Sequence, residues 1–218
     1  KYTAGSGMLE LREAICEKLL RENSLKFSPD QVLVSNGEKQ SLYNACQALF
    51  NKGDEVIIFS PYWVSFPEFV RLSDAEPVIV STDSKNQFEP NFDELLSKIN
   101  SKTKGMIINS PSNPTGGVWS NNAINKILEI SKENNLIVIS DECYEKLVFD
   151  EKFVSTEKLN SYNTEVITCM SLSKTYAMTG WRIGYAVGKH KIIKAMSKFC
   201  LLYTSDAADE RSSVDLGG

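Results

Sequence analysis

A chain of 218 residues is long enough to bury one sizeable hydrophobic core. Its 42% hydrophobic and 24% charged residues are typical of a globular protein, and no apolar run approaches the roughly 20 residues that span a membrane. A net charge of -4 argues against nucleic acid as a partner, because nucleic-acid-binding domains are typically basic. We therefore expect neither a nucleic acid nor a membrane as partner.

The cysteines and the histidine carry little sign of a metal site. The five cysteines form no C-x-x-C pair, which favours reduced thiols in a cytoplasmic protein. They are Cys16, Cys46, Cys143, Cys169 and Cys200. The single histidine, His190, stands alone among lysines. We therefore predict no bound metal.

Helical and strand patterns alternate along the chain. Apolar spacing predicts a helix over residues 8–22, then the strand "QVLVS" and a second helix whose apolar face runs from Leu42 to Phe50. The strands "VIIFS" and "EPVIV", the short helix "NFDELLSKIN" and the strand "GMIIN" follow. A helix over residues 121–134 precedes the strands "LIVIS", "EVITCM" and "IGYAVG", and a last helix is predicted over residues 189–199.

The predicted strands are apolar throughout, which is typical of parallel strands buried on both faces. The sequence thus predicts an α/β fold with three layers and a mostly parallel sheet. In such sheets ligands bind beyond the carboxyl ends of the strands. The segments predicted at those ends are 36–37, 61–63, 109–117, 141–144 and 171–182.

Asp141 follows the buried run "LIVIS", where an ionised carboxylate needs a partner. Two interpretations remain open: Asp141 caps a helix that begins at "DECYEKL", or it is the counter-ion of a buried cation. Tyr144 lies three residues further on and can direct its phenol into the same crevice.

Three other segments favour a ligand site. "NSPSNPTGG" contains two prolines and a glycine pair, which predicts a rigid loop around Asn113. Gly37 opens a helix, where free N–H groups suit a phosphate. Trp63 is either a core residue or a platform for a flat ring. Together with Asp141, these features predict a flat, phosphorylated ligand that bears a ring cation. Lys174 lies among small polar residues eight positions before Arg182, and three interpretations of it remain open: solvated surface, a phosphate ligand or an accessible nucleophile.

Five segments carry a family resemblance: "YTAGSGMLELREAI", "SPYWVSFPE", "NSPSNPTG", "SDECYE" and "SLSKTYAMTGWRIGY". They resemble the signature segments of the class I/II aminotransferases, fold-type I enzymes that use pyridoxal 5'-phosphate (PLP). The similarity is greatest to the bacterial aspartate aminotransferase group. It extends from Tyr2 to about Phe199 in the family's order.

The resemblance implies a role for each matched residue at the ring of the cofactor. Lys174 would hold PLP as a Schiff base and then act as the general base of the reaction. Asp141 would pair with the pyridinium nitrogen. Tyr144 and Asn113 would bind the phenolic oxygen, and Trp63 would stack on the ring. Trp63 and Asn113 would also lie close to the amino-acid substrate.

The resemblance also implies how the phosphate is bound. The implied ligands are Arg182, Ser171 and the backbone N–H groups of Glu38 and Lys39, which follow Gly37. A tyrosine at the position of Tyr2 would reach the phosphate of a neighbouring subunit, which implies a homodimer. The implied activity is transfer of an amino group between an L-amino acid, aspartate or a related one, and a 2-oxo acid.

The domain prediction departs from the family's pattern. We expect residues 1–199 to form an incomplete large PLP-binding domain and residues 200–218 to be an atypical tail, foreign or out of frame. Compared with the family, we expect truncation at both ends: the N-terminal segment that helps close the site is expected to be absent, and so is the C-terminal small domain, which carries the arginine that binds the substrate carboxylate. We therefore expect the 218-residue chain by itself to have very weak transaminase activity or none.

Other functions stay open at this point. Ser171 to Lys174 also matches the S-x-x-K motif of serine acyl-enzyme hydrolases, although no S-D-N or K-T-G segment follows it. A nicotinamide-dependent oxidoreductase is disfavoured because "GSGMLE" lacks the third glycine of the fingerprint. A non-catalytic binding module is a third possibility. Among PLP enzymes, C–S lyases and kynurenine or aromatic aminotransferases share the same lysine, aspartate and arginine.

Overall fold

The computed structural model describes residues 4–149 and 152–204. The strands are β1 (Val32–Asn36), β2 (Glu55–Ser60), β3 (Glu76–Ser81), β4 (Thr103–Asn109), β5 (Ile137–Asp141), β6 (Glu165–Ser171) and β7 (Ile183–Val187). The α-helices are α1 (Leu9–Lys18), α2 (Glu38–Leu49), α3 (Ser65–Arg71), α4 (Phe92–Lys98), α5 (Asn121–Glu133), α6 (Thr156–Leu159), α7 (Leu172–Thr175) and α8 (His190–Thr204). Short 3-10 helices cover Pro29–Gln31, Ser84–Asn86 and Thr179–Trp181.

All seven strands form one sheet in the order β1-β7-β6-β5-β4-β2-β3. β7 runs antiparallel to both of its neighbours, and the other neighbouring pairs are parallel. Each predicted strand is present, with its ends shifted by one or two residues. The prediction of a mostly parallel α/β sheet is confirmed.

Helices cover both faces of the sheet. Successive side chains of a strand point to opposite faces, so Ile58 packs in a core with α2, α3 and α8, whereas Ile57 packs in a core with α4 and α5. α1 covers the second face near β1 and β7, where Ile15 packs with Val32. The three-layer prediction is therefore confirmed.

The start of α2 lies directly on the sheet because β7 carries Gly184 at that point. A Cβ atom on Gly184 would clash with the backbone of Gly37 and Glu38. Only glycine leaves room for this close approach. The packing brings the first N–H groups of α2 to the carboxyl edge of the sheet.

The helix predictions differ from the structure in several places, and the one-turn helices α6 and α7 were not predicted. The predicted helix over residues 8–22 is divided between α1 and a π-helical turn, Leu19–Asn23. α3 was not predicted, because Pro67 interrupts its apolar pattern although proline is tolerated in a first helical turn. α8 continues to Thr204, beyond the predicted end at Phe199.

Several other predictions have partial outcomes. Residues 205–218, most of the predicted tail, lie outside the described residues, so that prediction stays open. The cysteines at positions 16, 46, 143 and 169 are free thiols. Among the described residues, no helix is long and apolar enough to cross a membrane.

Candidate active site

The carboxyl ends of three strands border one open pocket of about 370 Å³. Its wall includes the last residues of β4, β5 and β6, namely Asn109, Asp141 and Ser171. Most of the residues that the sequence predicted for the site line this pocket. They are Glu38, Lys39, Trp63, Asn113, Asp141, Tyr144, Ser171, Lys174 and Arg182.

Lys174 lies on α7, a single helical turn directly after β6. The Ser171 hydroxyl accepts a hydrogen bond from the Ser173 N–H at 3.1 Å and caps this turn. The Lys174 side chain is exposed, and its Nζ lies 5.9 Å from the centroid of the Tyr144 ring. Within the part of the chain that the structure describes, no hydrogen bond or ion pair engages this amine. It is accessible for chemistry from the pocket.

Asp141 forms the floor of the pocket and is 4% exposed. Its carboxylate accepts a hydrogen bond from the Cys143 N–H at 3.1 Å, and its backbone oxygen accepts one from the Asn109 amide at 3.2 Å. A turn follows Asp141, so the carboxylate closes this turn rather than capping an α-helix. Burial raises the pKa of Asp141, and the hydrogen bonds it accepts oppose that shift.

Glu38, the first residue of α2, lies beside Asp141 and is 7% exposed. One carboxylate oxygen of Glu38, one of Asp141 and the Cys143 Sγ all lie within 4.8 Å of one another. We call these three residues the acidic end of the pocket. Burial, and then the charge of Asp141, raise the pKa of Glu38 well above its usual range. The sequence assigned only the Glu38 N–H to the site, because an acid at a helix start is normally solvated.

Tyr144 and Asn113 meet on one wall of the pocket, as the sequence predicted. The Asn113 amide donates a hydrogen bond to the Tyr144 hydroxyl at 3.5 Å. The Asn113 N–H donates to the Asn109 side-chain oxygen at 2.8 Å, which fixes the loop after β4. Burial raises the pKa of Tyr144 to about 12, so its phenol is protonated at neutral pH and can donate a hydrogen bond.

Glu142 anchors the turn that carries Asp141 and Tyr144. Its side chain is fully buried and accepts hydrogen bonds from the Ser140 hydroxyl and the Thr156 N–H, each at 2.9 Å. Burial raises the pKa of Glu142 to about 7. The turn is thus held by a carboxyl group that titrates near neutral pH.

Glu145 anchors the same turn from the other side. It forms a buried ion pair with Lys18 of α1, and it accepts a hydrogen bond from the Asn23 amide at 2.8 Å. Lys18 also donates to the Asn23 side-chain oxygen at 2.9 Å. This network joins α1 to the segment that presents Tyr144.

Ser171 and Arg182 line the pocket beside Gly37, and we call these three residues the arginine end. Gly37 precedes α2 with φ 77°, and a Cβ atom there would clash with the Arg182 guanidinium. Arg182 has φ 54° and donates to the Thr179 backbone oxygen at 3.1 Å. Among the described residues, no side chain caps the first N–H groups of α2. These donors can bind an anion.

Trp63 forms a side wall of the pocket and is half-buried. Its ring packs edge-on against Phe66, with centroids 5.6 Å apart, and against Phe69 at 6.0 Å. The Lys39 ammonium lies 5.0 Å from the centroid of the Trp63 ring. Trp63 therefore has both a core contact and a pocket contact, so the two interpretations made from the sequence hold together.

The pocket is also lined by five residues to which the sequence assigned no role in the site: Leu42, Asn109, Cys143, Ser173 and Thr179. Leu42 lies on the buried face of α2, and the other four lie in the segments predicted at the strand ends. Tyr2, predicted to reach a neighbouring subunit, lies outside the described residues.

Known proteins with similar sequences are aminotransferases. The model of the family "Aminotransferase class I and II" matches residues 1–212. An aspartate aminotransferase from Bacillus sp. YM-2 is 42% identical over 208 residues, which is 94% of this chain and 53% of the relative. An aspartate/prephenate aminotransferase from Cereibacter sphaeroides is 45% identical over 199 residues, or 90% of this chain and 50% of the relative.

Solved structures lead to the same family. The aspartate aminotransferase of Thermus thermophilus, solved with maleate, superimposes with a TM-score of 0.89 at 39% identity, covering 94% of this chain and 53% of that one. An aromatic aminotransferase from Pyrococcus horikoshii also gives 0.89 at 39% identity, covering 94% and 55%. The chain spans about half the length of the relatives it matches. Since the family model matches nearly the whole chain, the chain belongs to the class I and II aminotransferase family.

Proposed function

We propose that this chain is the cofactor-binding part of a PLP-dependent aminotransferase. The observation that carries the proposal is that Lys174, Asp141 and Arg182 line one pocket at the carboxyl edge of the sheet. An amine, a carboxylate and a guanidinium in one pocket suit a ligand with an aldehyde, a ring cation and a phosphate. The family to which the chain belongs supports the same cofactor.

The residues present fit this cofactor. The volume of about 370 Å³ falls within the range of small-molecule sites. Gly37 leaves the space that the Arg182 guanidinium needs beside the start of α2. Apart from its bond to Thr179, no hydrogen bond engages the guanidinium among the described residues, so its other N–H groups are free for phosphate oxygens.

At the ring, Asp141 would hold the pyridine N–H, and burial would strengthen this charge-assisted hydrogen bond. Tyr144 and Asn113 would bind the ring oxygen, because their polar groups already meet at the pocket wall. Trp63 would cover one face of the ring.

Arg182, the Ser171 hydroxyl and the N–H groups of Glu38 and Lys39 would bind the phosphate. When bound, PLP supplies an electron sink for the negative charge that develops on a substrate carbon. The Lys174 amine would bond to the cofactor in the resting enzyme and, once released, move a proton at the substrate Cα. Its exposed position on a one-turn helix suits an amine that must change partners.

The proposed substrates are an L-amino acid, aspartate or a related one, and a 2-oxo acid. Two of the similar proteins are named aspartate and aspartate/prephenate aminotransferases, which supports this choice. A third is named an aromatic aminotransferase, so an aromatic amino acid is the alternative substrate. Assays of a chain extended to the length of its relatives, with aspartate and phenylalanine as competing donors, would rank the two.

We further propose a homodimer, in which Tyr2 of one subunit reaches the phosphate in the other. This assembly rests on the family resemblance of the N-terminal segment. Analytical ultracentrifugation with and without PLP tests it, and a monomer under both conditions would contradict it.

The central test is the absorbance of the chain titrated with PLP. The wild type should develop a visible band that Lys174→Ala abolishes. Lys39→Ala is the matched control, because Lys39 also lines the pocket but is assigned only a backbone N–H. It should retain the band. A band that persists in Lys174→Ala, or that disappears equally in both variants, would refute the assignment of Lys174.

A further inference from the structure

We infer that Glu38 is a positioning residue of the pocket: its carboxyl stays protonated at neutral pH and donates a hydrogen bond to Asp141, which keeps the Asp141 carboxylate ionised and oriented toward a ring cation. The orientation of Asp141 toward a ring cation rests on the proposed function. The claim that the two carboxyl groups share one proton does not rest on it.

The geometry of the acidic end leads to this inference. Glu38 comes from the first turn of α2 and Asp141 from the end of β5, so two unrelated elements bring two carboxyl groups together. Both residues are more than nine-tenths buried. Two adjacent buried carboxylates cannot both be ionised at low cost, so the pair holds one proton.

The proton belongs on Glu38 rather than on Asp141. The Asp141 carboxylate already accepts the Cys143 N–H, which favours its ionised form. Glu38 Oε1 is buried without a hydrogen-bond partner among the described residues. An ionised Glu38 would leave that oxygen with an unsatisfied charge, whereas a protonated Glu38 can donate to Asp141.

The surroundings of Glu38 also favour the neutral acid. Burial is the largest cause of its raised pKa, followed by the charge of Asp141 and, further away, of Glu142. The other titratable groups that interact electrostatically with Glu38 come from the turn after β5, from β6 and from β7. They are Cys143, Tyr144, Cys169 and Tyr185, and Tyr185 packs in the core on the other face of the sheet.

The cations that line the pocket do not neutralise Glu38. Lys39, Lys174 and Arg182 line it, yet none of them forms an ion pair with Glu38 among the described residues. The acidic end therefore presents a single negative charge. That charge matches one ring N–H.

The first test needs no cofactor. Side-chain carboxyl carbons of the 218-residue chain are followed by ¹³C NMR as a function of pH, and the Glu38 signal is identified by its loss in Glu38→Gln. We expect Glu38 to stay protonated at neutral pH while the exposed glutamates ionise. Glu142→Gln is the control, because it removes the other glutamate with a strongly raised pKa and does not line the pocket.

The second test asks whether Glu38 acts through Asp141. Glu38→Gln keeps a donor and should leave the titration of Asp141 close to that of the wild type, whereas Glu38→Ala should shift it. In PLP titrations, Glu38→Ala should weaken affinity about tenfold and Glu38→Gln much less, because a hydrogen bond to a charged group is lost only in the former. A purely structural role would lower the stability of Glu38→Ala without moving the titration of Asp141.

Two results would overturn the inference: a Glu38 signal that titrates with the exposed glutamates, or equal effects of Glu38→Gln and Glu38→Ala on Asp141. If the wild type binds no PLP, the proposed function fails, and the NMR titrations still decide the position of the proton. If the wild type binds PLP while Glu38 is ionised, only the role of Glu38 fails.

Discussion

The two ends of the pocket are built by opposite means. The acidic end consists of side chains that are at most 8% exposed, and the turn beside it is anchored by the buried Glu142 and by the Lys18–Glu145 ion pair. The arginine end depends on backbone N–H groups, a glycine with positive φ and an exposed guanidinium. The acidic end is fixed by contacts within the protein, whereas the arginine end offers N–H donors to a ligand.

This difference has consequences for stability and for binding. Removing the partner of a buried charge strongly lowers the free energy of unfolding, because the remaining charge stays buried without compensation. An exposed group contributes little to folding, and its effect is on the ligand. Changes in the anchors of the turn beside the acidic end should therefore act mainly on stability, and changes at the arginine end mainly on affinity.

The largest expected effect is on the buried ion pair. Lys18→Met leaves Glu145 buried without its cation and should lower the free energy of unfolding by about 3–5 kcal/mol. Urea unfolding measures the loss. Lys126→Met removes an exposed ion pair with Glu129 and should change little. Equal losses in the two variants would show that burial does not distinguish these pairs.

The next effect is a dependence of stability on pH through Glu142. Its folded pKa of about 7 lies above its usual 4.5, so the stability it contributes is fully present below about pH 4.5 and is lost as pH rises through about 7. The full change is about 3 kcal/mol at most. Thermal unfolding between these pH values should show a flatter profile in Glu142→Gln. Parallel profiles in the variant and the wild type would contradict the assignment.

At the arginine end, Arg182→Gln should weaken PLP affinity by about 1.5–3 kcal/mol, because charge-assisted hydrogen bonds to the phosphate are lost. The free energy of unfolding should stay nearly constant. Titration with pyridoxal, which has no phosphate, is the internal control and should give similar affinities for variant and wild type. An equal loss for both ligands would place the role of Arg182 elsewhere.

The smallest effect comes from paired glycine substitutions. Gly37→Ala and Gly53→Ala each place a side chain at positive φ and should cost about 1 kcal/mol of stability. A Cβ at Gly37 meets the Arg182 guanidinium, whereas nothing lies within 4 Å of a Cβ at Gly53. Only Gly37→Ala should therefore lower PLP affinity. Equal affinities in both variants would remove Gly37 from the arginine end.

Much of the site was predictable because local patterns determine strands. The apolar runs predict where each strand ends, and ligand sites in α/β sheets lie beyond the carboxyl ends of the strands. That rule places Asp141, Ser171 and Lys174 close together on the sequence alone. The motifs around Lys174 then identified the family, which the match over residues 1–212 bears out.

The parts that could not be predicted depend on contacts between distant residues. Lys18 and Glu145 lie 127 positions apart, and neither has a local pattern that marks it as buried. The antiparallel direction of β7 is likewise a property of the sheet, since its apolar run resembles those of the parallel strands. The burial of these two side chains and the direction of β7 therefore depend on tertiary packing, because local sequence patterns do not distinguish the alternatives.

Glu38 illustrates both what can be predicted from the sequence and what depends on tertiary packing. The glycine and the helical pattern after it are enough to predict a helix start at this point, with N–H groups that suit an anion. The burial of the Glu38 carboxyl beside Asp141 depends on packing between distant elements. The physical reason is that α2 lies directly on Gly184 of β7, so its first side chain points into the fold instead of into water.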